Sequence, residues 1–343
     1  MRSDLCPLPG KNLKDKMSII IHKQGLLATV QGKQRYGYRD AGIGPGGAMD
    51  LFAMHAANYL VGNEEDAAVL EMNFPAPEIV FRKDALISLA GADMDACVDE
   101  IPLPVWKPVL IKKDSVLKFR KPVHGSKLYL AVREGWIAEK WLGSSSTHLK
   151  AAAGGYAGRS LEKGDVIEFG EPSFFLTENK ILPWGFTSQE LQEVYPVNKA
   201  MRCICGAEWS LLASSSKTIF SEQSFALNNQ NDRMGYRLNG PRLFTEKPVE
   251  MISSAVDAGT VQLLPDGNLI VLMADHQTTG GYPRIASVIK ADIPPLAQLN
   301  AGDEFRFTII DAAEAEDALI SRQQKLQEIK AAFRQQYQKY FQH

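Results

Sequence analysis

Gln298-Leu299-Asn300-Ala301-Gly302-Asp303-Glu304-Phe305-Arg306-Phe307 places a polar Gly-Asp turn ahead of a strand in which apolar and polar side chains alternate. The same arrangement stands at residues 160–169 (SLEKGDVIEF) and, led by Asp114, at 110–119 (LIKKDSVLKF). Alternation puts one face of a strand against a core and the other in water, as in antiparallel sheets and barrels. Its recurrence in both halves of the chain predicts two related β-rich domains.

Working outward, short runs rich in Val, Ile, Leu and Phe stand at 78–81, 85–89, 109–111, 127–132, 261–264, 269–273 and 284–289. Gly, Pro, Asn or Asp bound them, as strands require. Pro265-Asp266-Gly267-Asn268 is a hairpin turn between two of them. Residues 48–61 carry Met49, Phe52, Ala53, Ala56, Ala57 and Leu60 at the three-four spacing of one helical face, stopped by Gly62-Asn63. Residues 312–341 are dense in Ala, Glu, Gln, Lys and Arg, which predicts a helix. Its few large apolar residues place it on the surface or against a partner. The division is then a poorly packed extension at 1–16, domains at 17–175 and 176–311, and a terminal helix at 312–343. The mixed Pro, Gly and polar stretch at 172–190 marks the boundary.

The chain has 343 residues, 45% hydrophobic content and a net charge of -2, which suits a globular protein of about two domains. No basic block singles out nucleic acid as a partner. No apolar run is long enough to span a bilayer. Residues 1–16 lack the apolar core of a signal peptide, so the four cysteines are expected as free thiols in a cytoplasmic protein. Cys203 and Cys205, two apart in a strand, are expected as two buried thiols on one face. With no second pair or nearby His they do not make a zinc site.

Gly42-Ile43-Gly44-Pro45-Gly46-Gly47 has the glycine spacing of a dinucleotide fingerprint. The preceding Tyr38-Arg39-Asp40-Ala41 is not the apolar strand that motif follows. What remains is a tight glycine loop at a helix start, or one able to hold an anion. Residues 154–160 (GGYAGRS) fall one residue short of a phosphate loop and carry Arg159 where Lys is needed. No Gly-x-Ser-x-Gly or His-Glu-x-x-His occurs.

Two stretches read as a binding surface: 231–240 (NDRMGYRLNG) and 274–283 (ADHQTTGGYP). Each crowds charged, amide, hydroxyl and aromatic groups between glycines at the end of an apolar run. Gly280 and Gly281 let backbone approach a ligand, while Gln277, Thr278 and Thr279 offer directional hydrogen bonds. Of six histidines only His276 has such a context. A plain turn accounts for Gly-Gly and Tyr-Pro but not for Arg233, Arg237, Asp275, His276 and Gln277 together.

Residues 36–50 (YGYRDAGIGPGGAMD), 58–63 (NYLVGN), 68–71, Gly91-Ala92-Asp93, 142–147 (LGSSST), 231–240 and 274–283 follow the order of one family. Over about residues 18–310 the chain resembles the KipA family, the C component of ATP-dependent 5-oxoprolinase, also called allophanate hydrolase subunit 2. It is similar as well to the carboxyltransferase part of biotin-dependent urea carboxylase. The resemblance implies a mainly β protein with a few helices, built as two tandem cyclophilin-like β-barrel domains. It implies two partners, a KipI-like B component and a LamB/YcsF-like A component, with a small amide as substrate. The implied reaction opens 5-oxo-L-proline to L-glutamate at the expense of ATP (with Mg) bound by the complex, with no covalent cofactor in this chain. Ser145 stands where the family pattern has Arg, and His148 where Tyr is common; an anion contact is expected to be missing there.

For such a reaction the expected charge-stabilising groups are Arg233, Arg237 and Arg284, since developing charge needs fixed cations and donors. Asp275 or His276 is the acid or base, an assignment the residues leave open. Gln277, Thr278, Thr279, Gly280 and Tyr282 are expected to hold the substrate, with Gly46, Gly47 and Asp50 on the opposite wall. Arg233 and Arg237 read equally as salt bridges at a domain interface, and Asp50 as a helix cap. Two other functions stay open: a non-catalytic antagonist of a KipI-like kinase inhibitor, and a carboxyltransferase acting on urea or a related amide. No biotin-attachment motif supports the latter within this chain.

Overall fold

A computed structural model describes residues 18–170, 176–198 and 200–341; the expected extension at 1–16 lies outside them. The protein is mainly β. One six-stranded sheet runs in the order Val166–Ile167, Ile19–Lys23, Glu78–Phe81, Val116–Phe119, Ala96–Val98, Ile101–Pro102. A second runs Lys180–Ile181, Pro108–Ile111, Ala85–Asp93, His124–Val132, Val69–Asn73, Leu27–Gln31. Alternation explains how they stack. Leu128, Leu130 and Val132 face the first sheet in one core with Ile19, Phe81 and Ile87. Tyr129 and Ala131 face the other way, into a layer with Phe52, Leu60, Trp184 and Phe186.

That outer layer is helical. It contains α1 (Leu51–Leu60), α2 (Ser188–Val194) and the far half of a terminal helix, Ala312–Phe341. The terminal helix, expected on the surface or against a partner, docks on its own chain: Ile329 and Phe333 are buried and Leu326, Tyr337 and Phe341 pack beside them. Three-four spacing lets a few apolar residues form a continuous stripe on an otherwise polar helix.

In the C-terminal half, Ala200–Cys205, Arg284–Val288, Thr260–Leu263, Leu269–Leu272, Gly235–Asn239, Phe225–Leu227 and Glu304–Ile309 form a closed barrel. Glu304–Ile309 closes it by pairing parallel to Ala200–Cys205. The remaining helices are α3 (Ser214–Glu222) and α4 (Ile293–Ala297), with the terminal helix as α5. Residues 264–268 make the expected hairpin turn, with Leu264 donating to the Asn268 carbonyl at 2.9 Å.

Three expectations are corrected. The N-terminal strands form two facing sheets, not a closed barrel: three of the four edge strands are two residues long, too short a ladder for closure. Segment 180–195, expected in the second domain, belongs with the first, since Lys180–Ile181 pairs with Pro108–Ile111 and Trp184 packs under α1. Cys203 is buried but Cys205, at the end of the strand, is exposed. Met49, just before α1, inserts into the apolar cluster of the barrel and ties the two units together.

Candidate functional site at the seam between the two units

Glu71 is a lone acid in the apolar strand Val69–Asn73 and is 2% exposed. Its Oε2 accepts the Met49 N–H and the Tyr129 hydroxyl, both at 2.8 Å. Its Oε1 accepts Nη1 of Arg233, which comes from the barrel. Arg233 also donates from Nη2 to the Gly47 carbonyl at 2.6 Å. Its Nε and Nη2 grip Asp275 at 2.8 and 3.0 Å. Burial would lower the pKa of this guanidinium, but Asp275 and Glu71 outweigh it and raise it. Arg233 therefore stitches the units together and orients Asp275. Its expected contact with substrate is replaced by contacts with protein.

Asp50 is fully buried and caps α1 through the Ala53 N–H at 2.9 Å. Its other oxygen accepts the Tyr195 hydroxyl and Nε2 of Gln298, both at 2.8 Å. Burial pushes its carboxyl up to about 6, against the hydrogen bonds of Ala53, Gln298 and Tyr195. Gln298 comes from the C-terminal unit and also accepts the Ser126 and Lys127 N–H groups. Asp50 is thus an interdomain tie rather than a wall of an open site. Gly47 is spent on Arg233, and Gly46 packs against Arg35, where a Cβ would stand 2.6 Å from Nη1.

His276 is 2% exposed, with Nδ1 2.6 Å from the Gln277 carbonyl. Its Nε2 lies 3.6 Å from Asp257, an ion-pair distance beyond a hydrogen bond. Asp257 is held down to about 2 by this imidazole, with help from the Ala258 N–H and Arg39; Arg39 reaches it at 2.8 Å. The glycine loop lies against the same turn: a Cβ on Gly44 would come within 2.7 Å of the His276 carbonyl oxygen.

The loop 274–283 turns its other side to a cleft of about 440 Å³ on the barrel. Arg237, Gln277 and Tyr282 line it, as do Asp232, Gln262 and Asp266. Stretches 231–240 and 274–283 therefore share a cavity, as expected. Arg237 has no ion-pair partner among the described residues. Gln262 is 1% exposed and its Nε2 has no acceptor. Gly280 leaves it room, since a Cβ there would stand 2.3 Å from that nitrogen. Thr279 and Gly280 pair their backbones with Ser254 and Ala255, and the Thr278 carbonyl accepts the Val256 N–H. Arg284 is not in this cleft. It forks onto Glu208 at 2.9 and 2.7 Å and lines a separate groove with Arg39 and Cys205.

Sequence reasoning missed Glu71, Gln262 and Arg35. The first two carried a signal: a polar residue inside an apolar strand has to find a partner in the interior. Arg35 sits one residue ahead of a recognised motif.

The start of α1, where the glycine loop could have held an anion, is occupied by protein groups. The Met49 and Asp50 N–H groups at the start of α1 are taken by Glu71 and Tyr129, and Asp50 already caps the helix. Among the described residues no three His, Cys, Asp or Glu side chains converge as a metal site. No described helix is long and apolar enough to cross a membrane.

Comparison with known proteins shows what the chain is similar to. Residues 41–309 match the model of the carboxyltransferase domain, subdomains A and B. The chain is 34% identical to the C component of 5-oxoprolinase from Haemophilus influenzae over 84% of its own length and 90% of that protein's. It is 35% identical to the corresponding 5-oxoprolinase component of Escherichia coli, over 88% and 94%. The urea carboxylase structure from Kluyveromyces lactis superposes with a TM-score of 0.82 at 23% identity, covering 92% of this chain. The chain spans only 29% of that larger protein, and the likeness speaks for the fold.

Proposed function

We propose, from the premise that this chain belongs to the carboxyltransferase-domain family (subdomains A and B) with the C component of 5-oxoprolinase, that it is the C component of an ATP-dependent 5-oxoprolinase. It acts with a KipI-like B component and a LamB/YcsF-like A component to open 5-oxo-L-proline to L-glutamate. The barrel cleft is the substrate site. The observation that carries this is the uncommitted guanidinium of Arg237 in a cleft also lined by Gln262 and Gln277.

5-Oxoproline presents a carboxylate, a lactam carbonyl and a ring N–H. Arg237 suits the carboxylate. Gln262 Nε2 suits the lactam oxygen, where charge develops when the ring opens. Gln277 and the carboxylates of Asp232 and Asp266 provide acceptors for the ring N–H. Asp275 and His276 directly precede Gln277 but hold the loop instead of lining the cleft. This chain's share of the work is then to bind, orient and polarise the lactam. Magnesium and ATP are assigned to the partner proteins, because the Met49 and Asp50 N–H groups at the start of α1 are already taken by Glu71 and Tyr129.

Reconstitution with both partners tests the assignment. Arg237→Ala and Gln262→Leu are each expected to raise KM for 5-oxoproline about tenfold or more, the worth of one hydrogen bond to a charged or buried group. An unchanged KM in both variants removes the cleft from the site. The likeness to urea carboxylase keeps a second reading, an amide such as urea in the same cleft. Urea has no carboxylate, so a urea-binding cleft would be insensitive to Arg237→Ala.

A further inference from the structure

Strand register sets Arg237, Ile270 and Gln262 in one row across three neighbouring strands of the barrel, with Ile270 in the middle. Their chain neighbours Tyr236, Leu238, Leu269 and Val271 belong to the barrel's apolar cluster. Side chains alternate along a strand, so the row itself stands on the outer face. All three residues line the cleft of about 440 Å³.

The outward face of an antiparallel strand is normally polar. The barrel keeps to this at Asn239, Glu304 and Arg306, all exposed. Ile270 breaks it: the side chain is partly exposed and lies outside the apolar cluster. Gly235, which also lines the cleft, makes room for it. A Cβ at Gly235 would stand 2.8 Å from Ile270 Cδ1, so the tip of Ile270 rests over bare backbone. Leu272, opposite Gly235 in the register, continues the apolar strip along the cleft.

A ligand whose carboxylate is held by Arg237, and which extends along this row, has to lay carbon on Ile270. In 5-oxoproline the ring carbon bearing the carboxylate is followed by two methylenes. That edge suits an apolar floor, and it leaves the ring N–H and the carbonyl to polar groups.

We propose that Ile270 is the specificity-determining residue of the cleft: its side chain is the floor under the ring methylenes, and Gly235 sets where that floor lies. The inference rests on the assignment of this cleft to a carboxylate-bearing lactam and adds a limit on ring size. A five-membered lactam fits above Ile270. A six-membered one brings one methylene more, which the floor disfavours.

The test uses the complex reconstituted with both partner components. It compares kcat/KM for 5-oxoproline with that for 6-oxopiperidine-2-carboxylate, the lactam with one more ring methylene. The wild type is expected to prefer the five-membered ring by roughly tenfold or more, the worth of one methylene in an apolar site. Ile270→Ala should raise the six-to-five ratio about tenfold, and Ile270→Val should fall between it and the wild type. Gly235→Ala pushes the tip of Ile270 into the cleft and should lower the ratio; if that variant fails to fold, the two Ile270 variants decide. A merely structural role for Ile270 would depress both substrates alike. That result, or a wild type that opens both rings equally well, overturns this inference alone. An unchanged KM for 5-oxoproline in Arg237→Ala overturns it together with the assignment of the cleft.

Discussion

Arg233 and Asp275 are joined by a two-point fork, Nε to Oδ2 at 2.8 Å and Nη2 to Oδ1 at 3.0 Å, while the same guanidinium reaches across to Glu71. One side chain thereby fixes the catalytic-looking loop of the barrel to a strand of the other unit. The arrangement leaves Glu71 and Asp275 dependent on a single cation.

Arg233→Met should therefore cost about 3–5 kcal/mol of stability, since it strands the buried carboxylate of Glu71 and the partly buried one of Asp275. Urea denaturation of the isolated chain measures this. A loss below about 1 kcal/mol would mean that water replaces the arginine and that the seam is not held as described.

Asp50 makes stability depend on pH. Its carboxyl, surrounded by Ala53, Tyr129, Tyr195, Gln298 and Arg322, titrates near 6 when folded, above the ordinary 3.8. A raised acid favours the folded state when protonated. Its contribution is fully present below about pH 4, falls as pH rises toward about 6, and is absent above that. The wild type should lose on the order of 3 kcal/mol relative to Asp50→Asn across this window. A stability difference between the two proteins that stays flat with pH would contradict the burial of a titrating carboxyl here.

Gln262→Leu separates binding from stability. Removing a buried donor without an acceptor should leave the melting temperature unchanged or slightly higher. The same change should raise KM for 5-oxoproline. A clear drop in melting temperature would show that the amide serves the core, and the cleft would lose its lactam donor.

Gly44→Ala should be destabilising by about 1–3 kcal/mol, because the added methyl meets the His276 carbonyl across the seam. Thermal unfolding checks it. A neutral result would show that the glycine loop and the 274–277 turn separate easily.

Phe333→Ala should cost about 3 kcal/mol, since this side chain of α5 is buried beside Phe186 with ring centres 5.2 Å apart. Denaturant unfolding measures it. Wild-type stability in the variant would mean that α5 does not dock on the N-terminal unit in solution.

Local signals were strong where one residue type decides the outcome. Alternation in 298–307 and 110–119 located strands that the structure contains, and the Pro265–Asn268 turn was legible from its own chemistry. The domain boundary was not, because 180–195 is polar and proline-bearing yet buries Leu182, Trp184 and Val194 against α1. Arg233 and Arg237 looked alike in sequence. One became an internal tie and the other faces a cleft, since strand register puts Glu71 and Asp275 beside the first alone.

By itself the chain's order of residues determined its β character, its terminal helix and the two stretches that share a cleft. Those follow from side-chain period and turn chemistry, which act between near neighbours. Which charges are paired, where α5 docks, and why Arg35 and Gln262 are left with unmet donors were decided only by tertiary packing. Partners such as Glu71 and Arg233 are 162 residues apart in sequence, and no local pattern records the contact that a closed interface enforces.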